Sequence, residues 1–450
     1  MAKTDNRATF GKLGVILATA GSAVGLGNIW RFPYMLGSNG GAAFLLVYIG
    51  CVLLLGIPLM IAEFYLGRHT RRNTAGAFKA IAPGTKWSLI GYNSIWAAFL
   101  ILGYYSVIAG WTLEYIVESL SGDIAGKSAE QFSASFNAFS TDAVRPVIWT
   151  LAFIVMTHIF IASGVKKGIE RASKWMMPLL FIILVALCFR SITLPNASEG
   201  LKFLFQPDFT KITPSVVLSA LGQAFFSLSI AMGCLITYSS YFNKETNLPK
   251  TAVQVATLDT VVAILAGVMI FPAVFSFGIA PTAGPELVFI TLPNVFAQLP
   301  AGWFWSFVFF VLLALAALTS TISLHEVVTA YIHEEFKNIT RKQAAVFVSI
   351  GVGIIGIISS LSFGLLHGIS IFGLTIFDAL DFFTAKIMLT VGGFFICLFI
   401  ALKVSKKDLR EELTNGGKIR FRLFDTVVFF IKYICPVLIA LIFLNQLGIF

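Results

Sequence analysis

The segment Ala20–Pro33 reads AGSAVGLGNIWRFP. It sits inside an apolar run, Leu13–Leu36, of the length that crosses a bilayer, about 20 residues at 1.5 Å rise each. An ordinary span avoids helix breakers and charge. This one carries Gly21, Gly25 and Gly27, the amide of Asn28, the charge of Arg31 and Pro33. Two readings are open. Small residues at Gly21 and Gly25 suit close helix packing across a kink. Gly25-Leu26-Gly27 followed by Asn28 equally suits a turn in which the helix unwinds, since each glycine weakens a helix by about 1 kcal/mol.

Outward from this segment the chain keeps the same character. Of 450 residues, 57% are hydrophobic and 12% charged, and the mean hydropathy is +0.87. A soluble domain needs more polar surface, and the apolar runs are too long and too little alternating for a β-barrel. The expectation is an all-α, polytopic membrane protein of about eleven spans. After Leu13–Leu36 these fall near Ala43–Leu66, Trp87–Leu120, Val147–Ile161, Trp175–Ile192 and Ser215–Tyr241. The remainder fall near Thr251–Ile279, Trp303–Phe336, Ala344–Leu361, Phe372–Leu402 and Thr426–Leu447.

The formal charge of +10 would suit nucleic acid, but its placement follows a bilayer. With the N-terminus inside, Arg68, Arg71, Arg72, Lys166, Lys167, Arg171, Lys403, Lys406, Lys407 and Arg410 share that side. Lys127, Arg145, Arg190, Lys202 and Lys211 fall outside, a positive-inside bias. The odd number of spans then puts Phe450 outside. Lys3, Arg7 and Lys12 ahead of an apolar run resemble a signal peptide, but the spans that follow favour an uncleaved first helix. Cys51, Cys188, Cys234, Cys397 and Cys435 lie inside spans without ligand spacing, so neither a disulfide nor a bound metal centre is expected.

Span six repeats the anomaly of span one: GQAFFSLSIAMG sets Gln223, Ser227, Ser229 and Gly233 in mid-segment. Interrupted helices at matching places in two halves of a membrane protein point to a transport site. Glu63, Asp259, the run Thr319-Ser320-Thr321, Glu326, Asp378 and Asp381 also lie in spans. Intramembrane acids need partners and mark function by default, and Glu63 is placed to brace unwound backbone. A lone serine or threonine ordinarily bonds its own helix carbonyl. Together these groups offer oxygen ligands, which suit a hard cation such as sodium rather than zinc or copper.

At this point the sequence resembles the neurotransmitter:sodium symporter family, in its bacterial, LeuT-like form. The resemblance runs through GSAVGLGNIWRFP (Gly21–Pro33), GIPLMIAEFYLGR (Gly56–Arg68) and YYSVIAGWTL (Tyr104–Leu113). It continues through KKGIERASK (Lys166–Lys174), GQAFFSLSIAMG (Gly222–Gly233) and LTSTIS (Leu318–Ser323). It implies one transporter domain over 1–450, built as a 5+5 inverted repeat (12–194 and 213–402) plus an eleventh helix over 424–450. Helices 1 and 6 would be unwound at mid-membrane. Family members often have twelve spans; this sequence reads as eleven.

The resemblance also implies roles. A first sodium site would use the Ala23 carbonyl, Asn28, Ser227 and Asp259 with the substrate carboxylate. A second would use carbonyls of Gly21, Val24 and Ala316 with the hydroxyls of Thr319 and Ser320. The carboxylate would meet the Leu26 and Gly27 amides and the Tyr105 hydroxyl, and the ammonium the carbonyls of Ala23, Phe226 and Ser227. Half-helix ends favour this arrangement, amides for anions and carbonyls for cations. Ile101, Tyr105, Phe226, Ser229, Met232, Ser320 and Leu324 would form a mainly apolar side-chain pocket. That favours a hydrophobic amino acid, aliphatic or aromatic.

Two departures matter. Gly25 stands where monoamine carriers of the family have an aspartate, so the substrate must bring its own carboxylate. Ala263 stands where other members have a serine or a glutamate that deals with chloride, while Asp259 supplies a carboxylate one turn earlier. Chloride-independent sodium symport by alternating access is the expectation; an amino-acid-gated channel or membrane sensor is the alternative. Arg31, roughly 8 Å beyond Leu26, would pair with Asp381 as an outer gate over Tyr105 and Phe226. Glu334, roughly 20 Å past Ser320, would pair with Arg7 inside, although the family's usual Trp near that Arg is replaced by Phe10. Nothing in the sequence suggests an enzyme: no nucleophile–base pattern and no phosphate loop are visible. The cell (inner) membrane is the expected location, and sodium, a small amino acid and lipid are the expected partners.

Overall fold

The computed structural model describes residues 8–122, 124, 126–278 and 288–446. Among them, nine helices are long and apolar enough to cross a membrane, and a tenth span arises if one bent pair counts once. The bent pair is α1 (Lys12–Ala23) and α2 (Gly27–Ser38), which meet at 47°. The nine are α3 (Ala42–Thr70), α4 (Ser88–Ser121), α5 (Arg145–Ala162), α6 (Val165–Ile192), α9 (Leu248–Ser276), α10 (Gly302–Glu335), α11 (Arg341–Leu361), α12 (Ile376–Lys403) and α13 (Phe424–Asn445). The stretch expected as span six does not count among these. It appears as two short helices, α7 (Pro214–Ser227) and α8 (Cys234–Ser239), separated by irregular backbone.

Local chemistry sets the helix starts. Thr213 Oγ1 accepts from the Val216 amide ahead of Pro214 at the first turn, and Asn247 caps Lys250 ahead of Pro249. Thr340 and Gln343 form a reciprocal capping box at α11. Such caps satisfy donors that have no partner inside the helix, and proline tolerates the first turn because its missing N–H is not needed there.

Large apolar side chains cover the outer faces of α5 and α6. On α6, Trp175, Ile182 and Phe189 are 65, 66 and 64% exposed, and their spacing of seven puts them on one stripe. Ile148, Val155 and Ile159 do the same on α5. Polar side chains collect instead in the interior: Asn28, Glu63, Asp259, His325 and Glu326 are all fully buried. The core helices around them approach closely. A Cβ on Gly67 would lie 2.0 Å from the Ile236 carbonyl oxygen, so only glycine lets α3 lie against α8.

Candidate functional site

The hydrogen-bond ladder of α1 ends at the Val24 amide. Val24 turns extended (φ −70°, ψ 109°) while its amide still bonds the Ala20 carbonyl. Beyond the gap, Gly27–Arg31 winds as a wider π-helix, a form that concentrates at functional sites. The backbone groups released by the break take partners from elsewhere. The Gly25 amide donates to Asn28 Oδ1 at 3.0 Å and the Leu26 amide to the Tyr105 hydroxyl oxygen at 3.0 Å. The Gly27 carbonyl, already bonded by the Phe32 amide within the π-turn, also accepts from Gln223 Nε2 at 3.0 Å.

The second break lies opposite. After Ser227 the chain passes through Ser229 (φ 54°), Ala231 (φ 64°) and Gly233 (φ 76°) before α8 begins. Left-handed serine and alanine are strained, by roughly 1–2 kcal/mol each, so surrounding groups must hold them. The Ser229 hydroxyl donates to the Ser22 carbonyl at 2.8 Å, tying the two breaks together. Glu63 Oε1 accepts from the Ala231 amide at 2.7 Å, the bracing expected of it.

Three groups converge where the breaks face each other. Asn28 Nδ2 lies 2.8 Å from Asp259 Oδ1 and 3.0 Å from Ser227 Oγ, and Ser227 Oγ donates to Asp259 Oδ2 at 2.9 Å. Tyr48 joins them, donating to Asp259 Oδ2 at 3.2 Å. It stands in an apolar stretch and reads as packing, so no signal in the sequence marks it. Every partner of this buried carboxylate is neutral, which leaves it suited to a cation.

A second cluster forms beside α10. Thr319 Oγ1 donates to the carbonyls of Ala316 (2.9 Å) and Val24 (3.3 Å). Gly21 lies alongside, where an added Cβ would be 3.4 Å from Thr319 Cβ. Ser320 turns its hydroxyl toward Gly25, where a Cβ would come within 2.2 Å of Ser320 Oγ and 3.1 Å of the Tyr105 hydroxyl.

Between the clusters lies a small cavity of about 30 Å³. Ala23, Gly27, Ile101, Tyr105, Phe226, Ser227, Ser229, Met232, Ser320 and Leu324 all line it, joined by Ser22, Gly25 and Ser323. Leu26 faces the other way, onto a larger cavity of about 440 Å³ that also holds Arg31, Tyr34, Trp111, Phe377 and Asp381. Gly27, Tyr105 and Phe226 border both cavities, so the two aromatic rings form the partition.

The model of the sodium:neurotransmitter symporter family matches residues 7–146 and 140–450. The chain belongs to that family. It is 42% identical to the sodium-dependent transporter YhdH of Bacillus subtilis, with 97% of each chain covered. It is 27% identical to the human sodium- and chloride-dependent GABA transporter 2, over 88% of this chain and 72% of that one. Among solved structures, MhsT in complex with L-phenylalanine is similar at 45% identity and a TM-score of 0.91, covering 98% of this chain and 100% of that one. The protein is therefore a multi-pass, sodium-dependent membrane transporter and not an enzyme.

The symporter's large cavity holds both residues expected of an outer gate, but they do not form an ion pair among the described residues. Arg31 lays its guanidinium over the Phe226 ring at 4.3 Å. Asp381 accepts from the Tyr104 hydroxyl at 3.0 Å. Asp378 is not a buried acid in need of a partner. It is exposed at the start of α12, where its amide donates to Thr375 Oγ1 at 3.1 Å.

At the opposite end of the symporter, Arg7 lies outside the described residues. Glu334 accepts from the Asn73 amide at 2.8 Å and from its side chain at 3.1 Å. Phe10 is fully buried there, its ring edge-on to Tyr238 and Tyr241 at 5.7 and 5.6 Å. Its amide donates to the Tyr241 carbonyl at 2.9 Å. Glu326 finds partners the sequence does not name: Arg341 Nη1 at 2.9 Å and the Tyr241 hydroxyl at 2.6 Å.

Proposed function

We propose that the protein couples sodium to the uptake of a hydrophobic amino acid, aliphatic or aromatic, independently of chloride and by alternating access. The observation that carries this reading is the meeting of two broken helices at a buried, uncompensated carboxylate beside an apolar pocket. In this reading Asn28, Ser227, Asp259 and the Ala23 carbonyl hold one sodium. For that, Asn28 presents Oδ1 to the ion in place of the amide nitrogen it now turns to Asp259. Gly21, Val24 and Ala316 carbonyls with Thr319 and Ser320 hold a second sodium, a neutral set that suits a hard monovalent ion.

The substrate carboxylate takes the Leu26 and Gly27 amides and the Tyr105 hydroxyl, and completes the first sodium site. Each species then raises the other's affinity, and that shared ligand is the coupling. The substrate ammonium meets carbonyls of Ala23, Phe226 and Ser227. A cavity of about 30 Å³ holds little more than a water, so a side chain can enter only if the pocket enlarges. Met232, unbranched and adaptable, is the residue best able to yield. The phenylalanine bound by MhsT supports an apolar side chain.

Ala263, fully buried one turn after Asp259, offers chloride no hydrogen bond, and the Asp259 carboxylate balances sodium instead. Counting α7 and α8 as one interrupted span gives eleven, with helices 1–5 and 6–10 as inverted repeats, the N-terminus inside and the C-terminus outside. Proteoliposomes with an imposed sodium gradient test the proposal. Labelled hydrophobic amino acids should accumulate above equilibrium, unaffected when gluconate replaces chloride. Equilibration without accumulation would instead make the protein a channel, and loss of uptake in gluconate would remove the chloride claim.

A further inference from the structure

A separate cavity of about 490 Å³ opens on the flank of the protein between α4 and α12. Its volume is that of a ligand site, yet it shares no lining residue with the substrate cavity or the large one above it. Both bordering helices are membrane spans by length and composition. The walls are apolar and open outward, with Leu89 60% and Phe395 41% exposed. The opening lies along the flanks of two membrane-spanning helices, with the exposed Thr85 and Lys86 at one end.

Chemistry at its two ends is different. Lys86, exposed and in no ion pair among the described residues, stands at the mouth just before α4 begins. The inner wall is α12, where Gly392 lies so close to the second helix break that a Cβ would come 3.3 Å from Ala231 Cβ. Asn93 bridges the two helices there, its Nδ2 donating to the Met388 carbonyl at 2.8 Å.

We infer that this cavity binds an anionic phospholipid, with its phosphate on Lys86 and one acyl chain laid between α4 and α12. An apolar slot open to lipid with one lysine at the interface selects for an anionic headgroup rather than a zwitterionic one. On the orientation proposed above, the lipid belongs to the cytoplasmic leaflet. A seated chain braces α12 where it backs the strained segment around Ala231, so lipid occupancy and the mobility of that segment are linked.

Native mass spectrometry of the full chain tests this without any transport readout. The protein is titrated with phosphatidylglycerol or with phosphatidylcholine of the same chains. One phosphatidylglycerol per chain should be retained, with about a fivefold preference, the scale of one lysine near an anionic surface. Lys86→Gln should remove the preference, and Val391→Phe, which fills the slot, should remove retention of both lipids. Leu89→Trp fills the slot from the other wall if Val391→Phe does not fold. A sodium-dependent rise in melting temperature in each variant verifies the fold. Equal retention of the two lipids by the unaltered protein, or retention indifferent to these substitutions, overturns the inference.

Discussion

Asp259 shows how much one residue decides. It is fully buried and held by Asn28, Ser227 and Tyr48, none of which carries charge. An acid so placed is costly unless a cation joins it. Asp259→Asn keeps the shape and removes the charge, and should weaken sodium by about tenfold or more, about 1.4 kcal/mol. The sodium dependence of labelled substrate binding measures this; an unchanged midpoint would exclude Asp259 from the ion site. Gly25 is decisive in the opposite way, through what it lacks. Alanine there meets Ser320 Oγ at 2.2 Å, and its methyl together with the displaced Ser320 hydroxyl takes up room in the small cavity proposed for the substrate. Gly25→Ala should abolish substrate binding while lowering stability only by the 1–3 kcal/mol typical of one extra buried methyl, roughly. Equilibrium binding and thermal unfolding on the same sample separate the two effects.

At the scale of the element, the breaks in the first and sixth spans rest on neighbours. Ala231 sits at φ 64° and its amide has Glu63 Oε1 as acceptor. Glu63→Ala leaves that amide buried and unpaired, a loss of about 1–3 kcal/mol, whereas Glu63→Gln keeps an acceptor and should retain most of the stability. Thermal unfolding that ranks the two variants equally would show that the bond does not hold the break open. Both breaks are legible in the sequence, because glycine and polar residues together at bilayer depth do not fit an unbroken span. That α7 and α8 are each too short to count as a span is not legible, since helix length depends on where tertiary contacts take over the freed backbone. Partners are harder to read than breaks. Glu63 is legible as a brace, but Tyr48 is hidden because a tyrosine in an apolar run resembles packing. Arg68 reads as a topology charge, and Arg341 carries no reading from the sequence. Its pairing with Glu326, and that of Arg68 with Glu412, appears only once distant segments meet. The pattern Thr375-x-x-Asp378 is a helix cap in plain view; it reads as an intramembrane acid only when the tenth span is begun at Phe372, ahead of the helix itself.

For the whole molecule, the proposed alternating access needs the two ends to close by turns, and the structure shows one end packed and the other open onto the large cavity. At one end Phe10 packs on Tyr238 and Tyr241 and pins the segment before α1 to the end of α8. Behind it, the buried Glu326 carboxylate takes Tyr241 and the partly buried Arg341, which ties the segment just after α8 to α10 and the start of α11. Breaking one partner of such a network costs about 3–5 kcal/mol, enough to shift a balance between states that differ by a few. At the other end the cavity of about 440 Å³ separates Arg31, which rests on Phe226, from Asp381, which is held by Tyr104. Closing that end in the proposed cycle means drawing Arg31 across toward Asp381, so the pair acts in a state other than the one described. The two ends should therefore respond oppositely. Phe10→Ala removes the plug and should favour opening at the N-terminal end. Asp381→Ala removes the destination of Arg31 and should hold the other end open. Spin-label pairs placed across each end report the distances directly: the first variant should widen the N-terminal pair, and the second the Asp381 pair. A reversal swap, Arg31→Asp with Asp381→Arg, should recover part of the uptake lost in either single variant. Widening at the same end in both single variants would mean that the closures are not coupled through the broken helices.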